Sequence, residues 1–369
     1  MYQVTEYAMT RRTLASLLAV LIAAGLILAA YMGAPSGNSS LRVSPNRGHP
    51  GRYFTRFETM GTTAHLEVVA DSQAGAEKML TPAAEAVRQV DRLMSTYRPD
   101  SDISRLNGKG SAGPVEVDPH VLAVLRKAVD LCRLSHGAFD VTSGPLRDLW
   151  RDAQKKDKAP SEAELERALE RVGCDRLSLG DDTAQFTTDG VEVDLGGIAK
   201  GYAIDRAVQE IRAQGGSGAL ADIGGDMRLL GRRADGGRWK IRVRTPPRID
   251  LDEPVYLKID GAAVATSGDY ARYYRIGGER YSHIVDPRTG QPVRSVPSCT
   301  VIAPTAMTAD GLATAISVLG PDEGLRMVEK VEGAECLIMA QREDGLHLVS
   351  SDGFSDYRYY PAENDGDTE

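Results

Sequence analysis

No CxxC pair occurs in this 369-residue chain, whose four cysteines are Cys132, Cys174, Cys299 and Cys336. That argues against the common structural zinc sites. A basic excess is missing as well: 44 Lys and Arg stand against 52 Asp and Glu, for a formal net charge of −8. Without surplus cations there is little to displace counterions from a nucleic-acid backbone. One bound nucleotide is not excluded, because a local cation or a metal can meet its charge. The chain also lacks an internal repeat and a regular βαβ rhythm. Helices and strands intermix, which points to α+β layers rather than a doubly wound sheet.

The cysteines read as small buried hydrophobes, Cys336 most clearly, within the apolar run Cys336-Leu337-Ile338-Met339-Ala340. An oxidised pair is the alternative if the domain is exported. Export is what the N-terminus suggests. Arg11 and Arg12 precede a run from Leu14 to Met32 without a charged residue, long enough for a bilayer core. The positive charge on its N-terminal side places the rest of the chain outside the cytoplasm. An uncleaved anchor is favoured over a cleaved secretory or twin-arginine signal, because the run is long for a signal h-region and lacks an A-x-A end. The expected organisation is an anchor or signal at 1–33, a flexible linker at 34–52, one globular domain at 53–361 and a disordered polar tail at 362–369. The expected place is a bacterial inner membrane, with the domain on the periplasmic side.

Within the domain, apolar spacing predicts helices over Ala74–Leu93 (its regular part opened by Pro82), Val121–Leu134, 159–172, Ala199–Ile211, Thr308–Leu319 and Glu323–Val331. Strands are expected at Val191–Leu195, Cys336–Ala340 and Leu346–Ser350, with several more between Ala219 and Thr266. Four segments carry chemistry. If Thr308 caps its helix, Asp310 and Thr314 lie on one face of the first turns, a hard oxygen pair suited to Mg²⁺. Asp194-Leu195-Gly196-Gly197-Ile198-Ala199-Lys200 ends a strand, lets the backbone approach a ligand and opens a helix with a lysine, which suits an anion. Its spacing matches neither a Walker A nor a GxGxxG motif. His283, before the turn Asp286-Pro287-Arg288-Thr289-Gly290, is a candidate proton acceptor. Asp140, Asp222 and Asp226 are glycine-flanked carboxylates on apolar segments, which need partners or a cation if buried. Taken singly, each has a structural reading: a helix-dipole Asp, a tight strand-to-helix turn, a structural His.

In order along the chain, the segments resemble the ApbE family of FAD:protein FMN transferases. The resemblance runs from about Phe57 to Gly333. It rests on Thr59-Met60-Gly61-Thr62, Ser95-Thr96-Tyr97 with Ser101-Asp102-Ile103-Ser104, Gly137-Ala138-Phe139-Asp140-Val141, Val193-Asp194-Leu195-Gly196-Gly197-Ile198-Ala199-Lys200-Gly201, Gly224-Gly225-Asp226, Ser282-His283-Ile284-Val285-Asp286-Pro287 and Ala309-Asp310-Gly311-Leu312-Ala313-Thr314-Ala315. The resemblance implies a T-fold-like α+β domain of mixed helices and antiparallel sheets. It implies an FAD site at Met60, Tyr97, Ala138, Phe139, Asp140, Asp194, Lys200 and Ile284. It implies Mg²⁺ at Gly197 (through its carbonyl), Asp310 and Thr314. Asp222 stands where the family often has Asn.

The implied reaction is transfer of the FMN half of FAD to a Thr or Ser hydroxyl of an acceptor protein, an extracytoplasmic redox subunit, with release of AMP. Asp310 and His283 are the expected catalytic residues. Here His283 is the base and Asp286 its orienter. Two alternatives share the site: Mg²⁺-dependent hydrolysis of FAD to FMN and AMP, and an envelope protein that binds FAD without chemistry.

Overall fold

The computed structural model describes residues 41–247, 249, 253–268 and 273–361. The expected anchor at 1–33, the first part of the linker (34–40) and the tail at 362–369 lie outside the described residues. Among the described residues no helix is long and apolar enough to cross a membrane; the run Leu14–Met32 is not one of them.

The described chain opens with β1 (Ser44–Pro45), β2 (Arg52–Thr59) and β3 (Thr62–Val69). β1 pairs with β2 through Ser44↔Phe54 and Pro45↔Tyr53, and Val43 is buried. The folded body therefore starts earlier than Tyr53 and includes the last residues of the expected linker. Helix α1 (Gln73–Met94) is capped by Ser72, whose side chain accepts the Gly75 N–H. Its buried stripe of Leu80, Ala83, Ala84, Val87 and Val90 follows three- and four-residue steps. Pro82 lies inside this helix instead of opening it. The helix forgoes one backbone bond there, a local cost that the buried stripe outweighs.

Next come α2 (Asp102–Lys109), β4 (Val115–Glu116), α3 (Pro119–Leu134), α4 (Gly144–Lys156), α5 (Glu162–Leu169), β5 (Leu177–Leu179), β6 (Thr183–Phe186) and α6 (Ala199–Ala213). The helix expected over 159–172 shortens to α5, because Ser161 and Glu164 form a capping box that fixes its start. The strand expected at Val191–Leu195 does not form. Glu192 alone makes a bridge, to Ser143, and the Asp194 N–H is given to the Val141 carbonyl. Val191, Val193 and Leu195 are buried, so the alternation is real, but the segment has no ladder to join.

The remainder is β7 (Ala219–Ile223), β8 (Asp226–Leu230), β9 (Trp239–Arg242), β10 (Tyr256–Ile259), β11 (Ala263–Gly268), β12 (Tyr273–Ile276), β13 (Glu279–Ser282), β14 (Ser298–Ala303), α7 (Ala306–Leu319), α8 (Pro321–Val328), β15 (Glu335–Arg342), β16 (Gly345–Ser350) and β17 (Arg358–Tyr359). Nine strands form one sheet in the order β1-β2-β3-β7-β8-β11-β14-β15-β16, with antiparallel neighbours throughout. α1, α6 and α7 pack on one face of it, where Leu66, Val68, Ala221 and Ile223 are buried. On the other face β9, β10 and β17 form a small sheet. Its Trp239, Ile241, Leu257 and Ile259 pack on Leu229, Val264, Ile302 and Leu337. The result is a helix–sheet–sheet sandwich, the α+β class expected.

Cys132, near the end of α3, and Cys174 form a disulfide that closes a 42-residue separation. Cys299 and Cys336 are free and buried. The reading of all four as buried hydrophobes thus holds for the second pair and fails for the first.

Candidate active site

Two tight turns and two helix starts meet at one end of the large sheet. Thr59 pairs with Thr62 and Ile223 with Asp226, so Met60-Gly61 and Gly224-Gly225 are two-residue hairpin tips. All four residues have positive φ, Met60 at 51°. This is the geometry that twisted hairpins favour, and glycine supplies it without strain while methionine does not. The tips are neighbours: the Gly224 N–H donates to the Thr63 carbonyl at 3.2 Å. Asp226 thus begins β8 beside the turn that carries Met60.

Helix α7 starts at Ala306, not at Thr308. Thr305 caps it, accepting the Thr308 N–H at 3.2 Å. Asp310 consequently lies beyond the first turn, where the dipole reading has little force. Its carboxylate instead accepts the Gly201 N–H at 3.0 Å and faces Lys200 Nζ at 3.3 Å. The same ammonium pairs with Asp226, whose other oxygen accepts the Thr266 N–H at 3.0 Å. One turn on, Thr314 Oγ1 stands 3.4 Å from Ser267 Oγ. It would lie 3.1 Å from a Cβ at Gly197, with Phe139 Cε2 3.4 Å from the same point. Among the glycines of this site, Gly201 is the tightest position. A Cβ there would stand 2.2 Å from the Ala306 carbonyl oxygen, so only glycine lets α6 and α7 come this close.

The charges do not balance. Two buried carboxylates share one ammonium. Burial pushes the Asp310 pKa up, and Asp226 raises it further against the pull of Lys200. Burial alone would lower the Lys200 pKa, but Asp226 and then Asp310 outweigh it and hold the amine charged. The cluster keeps a surplus negative charge among oxygen donors: the Asp310 carboxylate, Thr314 Oγ1, Ser267 Oγ and the backbone at Gly197. Such a hard, all-oxygen set fits Mg²⁺ and disfavours softer ions. Lys200 keeps 26% of its side-chain surface.

A second group lies along α4. Asp194 accepts the Gly196 N–H at 2.7 Å and pairs with Arg147 Nη1 at 2.5 Å. Arg147, with Thr96, Tyr97, Asn107 and Glu192, lines a cavity of about 350 Å³. Tyr97 is 84% exposed there, an aromatic ring with nothing covering it. Ala138, Phe139 and Asp140 sit in the buried loop after α3. The Phe139 N–H donates to Ser135 Oγ at 2.9 Å. Asp140 Oδ1 accepts the Thr142 N–H at 2.8 Å and its hydroxyl at 2.7 Å. Its pKa is raised by burial, and it lies against the disulfide, 3.7 Å from Cys132 Sγ. Asp140 therefore holds the Phe139 loop in place.

His283 and Ile284 follow β13. Ile284 is buried and donates its N–H to Ser282 Oγ at 3.1 Å; His283 is half-buried. Asp286 does not orient His283. Its two oxygens are taken by the Arg288 guanidinium at 2.9 and 2.8 Å. The hairpin below is held on α4 by Trp150, which stacks with Tyr274 and contacts Tyr281. Asp222 accepts the Gly225 N–H at 2.8 Å, and burial raises its pKa.

The structure therefore joins Gly197, Lys200, Asp310 and Thr314 with Phe139 into one contact group, and Tyr97 and Asp194 into another beside Arg147. Sequence reasoning gave no site role to Ser267 or Arg147 and did not pair Asp226 with Lys200. Asp226 carried a signal, a carboxylate directly after Gly224-Gly225. Arg147 carried none, since its helix α4 was not foreseen.

Comparison with known proteins gives a consistent picture. The family model described as "ApbE family" matches residues 60–338. The FAD:protein FMN transferase of Vibrio cholerae is 35% identical over 303 residues, covering 81% of this chain and 90% of that protein. The FAD:protein FMN transferase of Haemophilus influenzae is 33% identical over 308 residues, covering 80% and 89%. Among solved structures, the flavin transferase ApbE from Vibrio cholerae aligns with a TM-score of 0.73 at 33% identity, over 83% of this chain and 99% of that one. The ApbE protein from Thermotoga maritima aligns with a TM-score of 0.74 at 34% identity, over 84% and 100%.

Proposed function

This chain belongs to the ApbE family, and from that premise we propose that it moves the FMN half of FAD onto a Thr or Ser hydroxyl of an acceptor protein and releases AMP. The observation that carries the reading is the Lys200–Asp226–Asp310 cluster beside Thr314 and Gly197. It supports Mg²⁺ held by Asp310, Thr314 and the Gly197 carbonyl; when bound there, the ion supplies positive charge against the FAD pyrophosphate. Lys200 adds a fixed positive charge on the same side. Met60, Tyr97 and Phe139 supply apolar and aromatic surface for the rings of FAD. Ala138, Asp194 and Ile284 complete the proposed lining, with Asp194 steadied by Arg147 and Asp140 acting from behind Phe139. His283 takes the proton of the acceptor hydroxyl as it attacks the FMN-side phosphorus.

The Cys132–Cys174 disulfide supports an oxidising compartment, and with the uncharged run Leu14–Met32 it favours a membrane-tethered domain in the periplasm. The acceptor is then an extracytoplasmic redox subunit. The test combines the protein with FAD, Mg²⁺ and a threonine-bearing acceptor domain. Mass spectrometry follows the acceptor and chromatography follows AMP and FMN. An acceptor heavier by one FMN with matching AMP is expected. AMP with an equal amount of free FMN and an unmodified acceptor points to a hydrolase. No AMP at all points to a protein that only binds FAD.

A further inference from the structure

Beneath the Lys200–Asp226–Asp310 cluster the same three elements meet a second time, with the charges reversed. Asp205 lies five residues after Lys200 on α6, and Arg228 two residues after Asp226 on β8. Asp205 Oδ1 accepts the Ala306 N–H and Oδ2 the Met307 N–H, both at 2.9 Å. Arg228 Nη1 donates to Asp205 Oδ1 at 2.6 Å. Ala306 and Met307 are the first two residues of α7, and no earlier turn can satisfy their N–H groups. The cap Thr305 serves only Thr308. One carboxylate from a neighbouring helix therefore closes the start of α7, and one guanidinium ties that carboxylate to the strand carrying Asp226.

We infer that Asp205 is a positioning residue for the cation site: its two-oxygen grip on the start of α7 fixes that helix against α6, and thereby sets how tightly Asp310, Thr314 and Gly197 hold a divalent cation. The inference rests on the proposed reading of those three residues as a metal site. The Gly201–Ala306 approach limits how close the helices come, but it does not fix rotation. A slip of one residue moves a helical side chain by 1.5 Å along the axis and about 100° around it. That would carry Asp310 off the Gly201 N–H and Thr314 off Gly197. Two hydrogen bonds to successive N–H groups forbid both motions. Asp205 itself touches none of Lys200, Asp310 or Thr314 among the contacts of the described residues, so it acts through the helix.

The test measures Mn²⁺ binding to the full chain without FAD, by electron paramagnetic resonance, in wild type, Asp205→Asn, Asp205→Ala and Leu337→Ala. Leu337 lies in the core on the far side of the sheet, so its variant lowers Tm without touching α6 or α7. Asp205→Asn keeps one acceptor oxygen and loses the charge; Asp205→Ala loses both. The expected result is a Kd for Mn²⁺ raised at least fivefold by Asp205→Asn and further by Asp205→Ala, with no change for Leu337→Ala. Excess Mg²⁺ should then restore the turnover of Asp205→Asn. Wild-type Mn²⁺ affinity in folded Asp205→Asn overturns the inference and leaves the metal site standing. The same holds if Leu337→Ala weakens binding equally. A wild-type protein that binds no Mn²⁺ yet flavinylates its acceptor overturns the metal reading and this inference with it.

Discussion

Single residues divide the chemistry from its support. Asp310 is a buried carboxylate with one half-share of an ammonium, and its role in the proposal is to hold the cation. Asp310→Ala should abolish turnover and the dependence on Mg²⁺ while the protein stays folded. Full activity in that variant, read as acceptor mass, would remove the metal model. His283→Ala should slow transfer by about 10²–10⁴-fold, the usual worth of a positioned base, while FAD binding persists in a fluorescence titration. Loss of FAD binding would make His283 a ligand contact instead. Gly201→Ala tests geometry alone. With backbone oxygen 2.2 Å from the new Cβ, the two helices must part, at a cost of about 1–3 kcal/mol. A Tm equal to wild type would contradict the close approach. At this scale the sequence was legible where one residue type has one use: Asp310 and Thr314 four apart, Lys200 after two glycines. It did not show that Thr142 and Arg288 donate to the carboxylates of Asp140 and Asp286. A sequence names a carboxylate but not the donor that claims it.

The elements show why some boundaries were readable and others were not. α6 and α7 follow apolar spacing closely: Ala203, Ala207, Val208 and Ile211 of α6 and Leu312, Ala315 and Ile316 of α7 are all buried. The start of α7 shifted because two threonines three apart compete for the cap. Thr305 wins, and Thr308 becomes its client. Thr305→Ala should therefore cost about 1 kcal/mol of stability, seen as a lower midpoint in urea, whereas Thr308→Ala should cost less. The order reverses if Thr308 is the true cap. Helix α4 escaped notice because its sequence, Gly144-Pro145-Leu146-Arg147-Asp148-Leu149-Trp150, mixes turn residues with charge. Its burial depends on Trp150 meeting the β12–β13 hairpin, a contact more than 100 residues away in sequence. The disulfide belongs to this scale too. It ties α3 to the segment after α5 and backs the Phe139 loop. Replacing Cys132 and Cys174 by Ser should cost about 2–5 kcal/mol in stability and raise KM for FAD before it lowers kcat. A variant with unchanged Tm would mean the bridge does not form in the native protein.

Across the whole molecule, the large antiparallel sheet sets the layers and its ion pairs set the response to acid. Glu67 is 2% exposed. Burial pushes its pKa up, but hydrogen bonding from His65 and the charge of Arg52 together bring it below the usual glutamate value of 4.5. A depressed carboxylate contributes stability that is present above 4.5 and is lost as the pH falls through the folded value. Glu67→Gln should thus destabilise the protein at neutral pH and flatten its loss of stability below 4.5. Acid unfolding curves of the two proteins that stay parallel through that range would contradict the assignment. The sequence by itself determined the α+β class, the helices α6 and α7 and the ordered motifs, because local spacing and residue chemistry carry that information. Only the tertiary structure decided which cysteines join, that Asp226 shares Lys200 with Asp310, and that Asp205 closes α7. Each of those depends on chain segments tens of residues apart that meet only in the folded chain, and no local pattern records such a meeting.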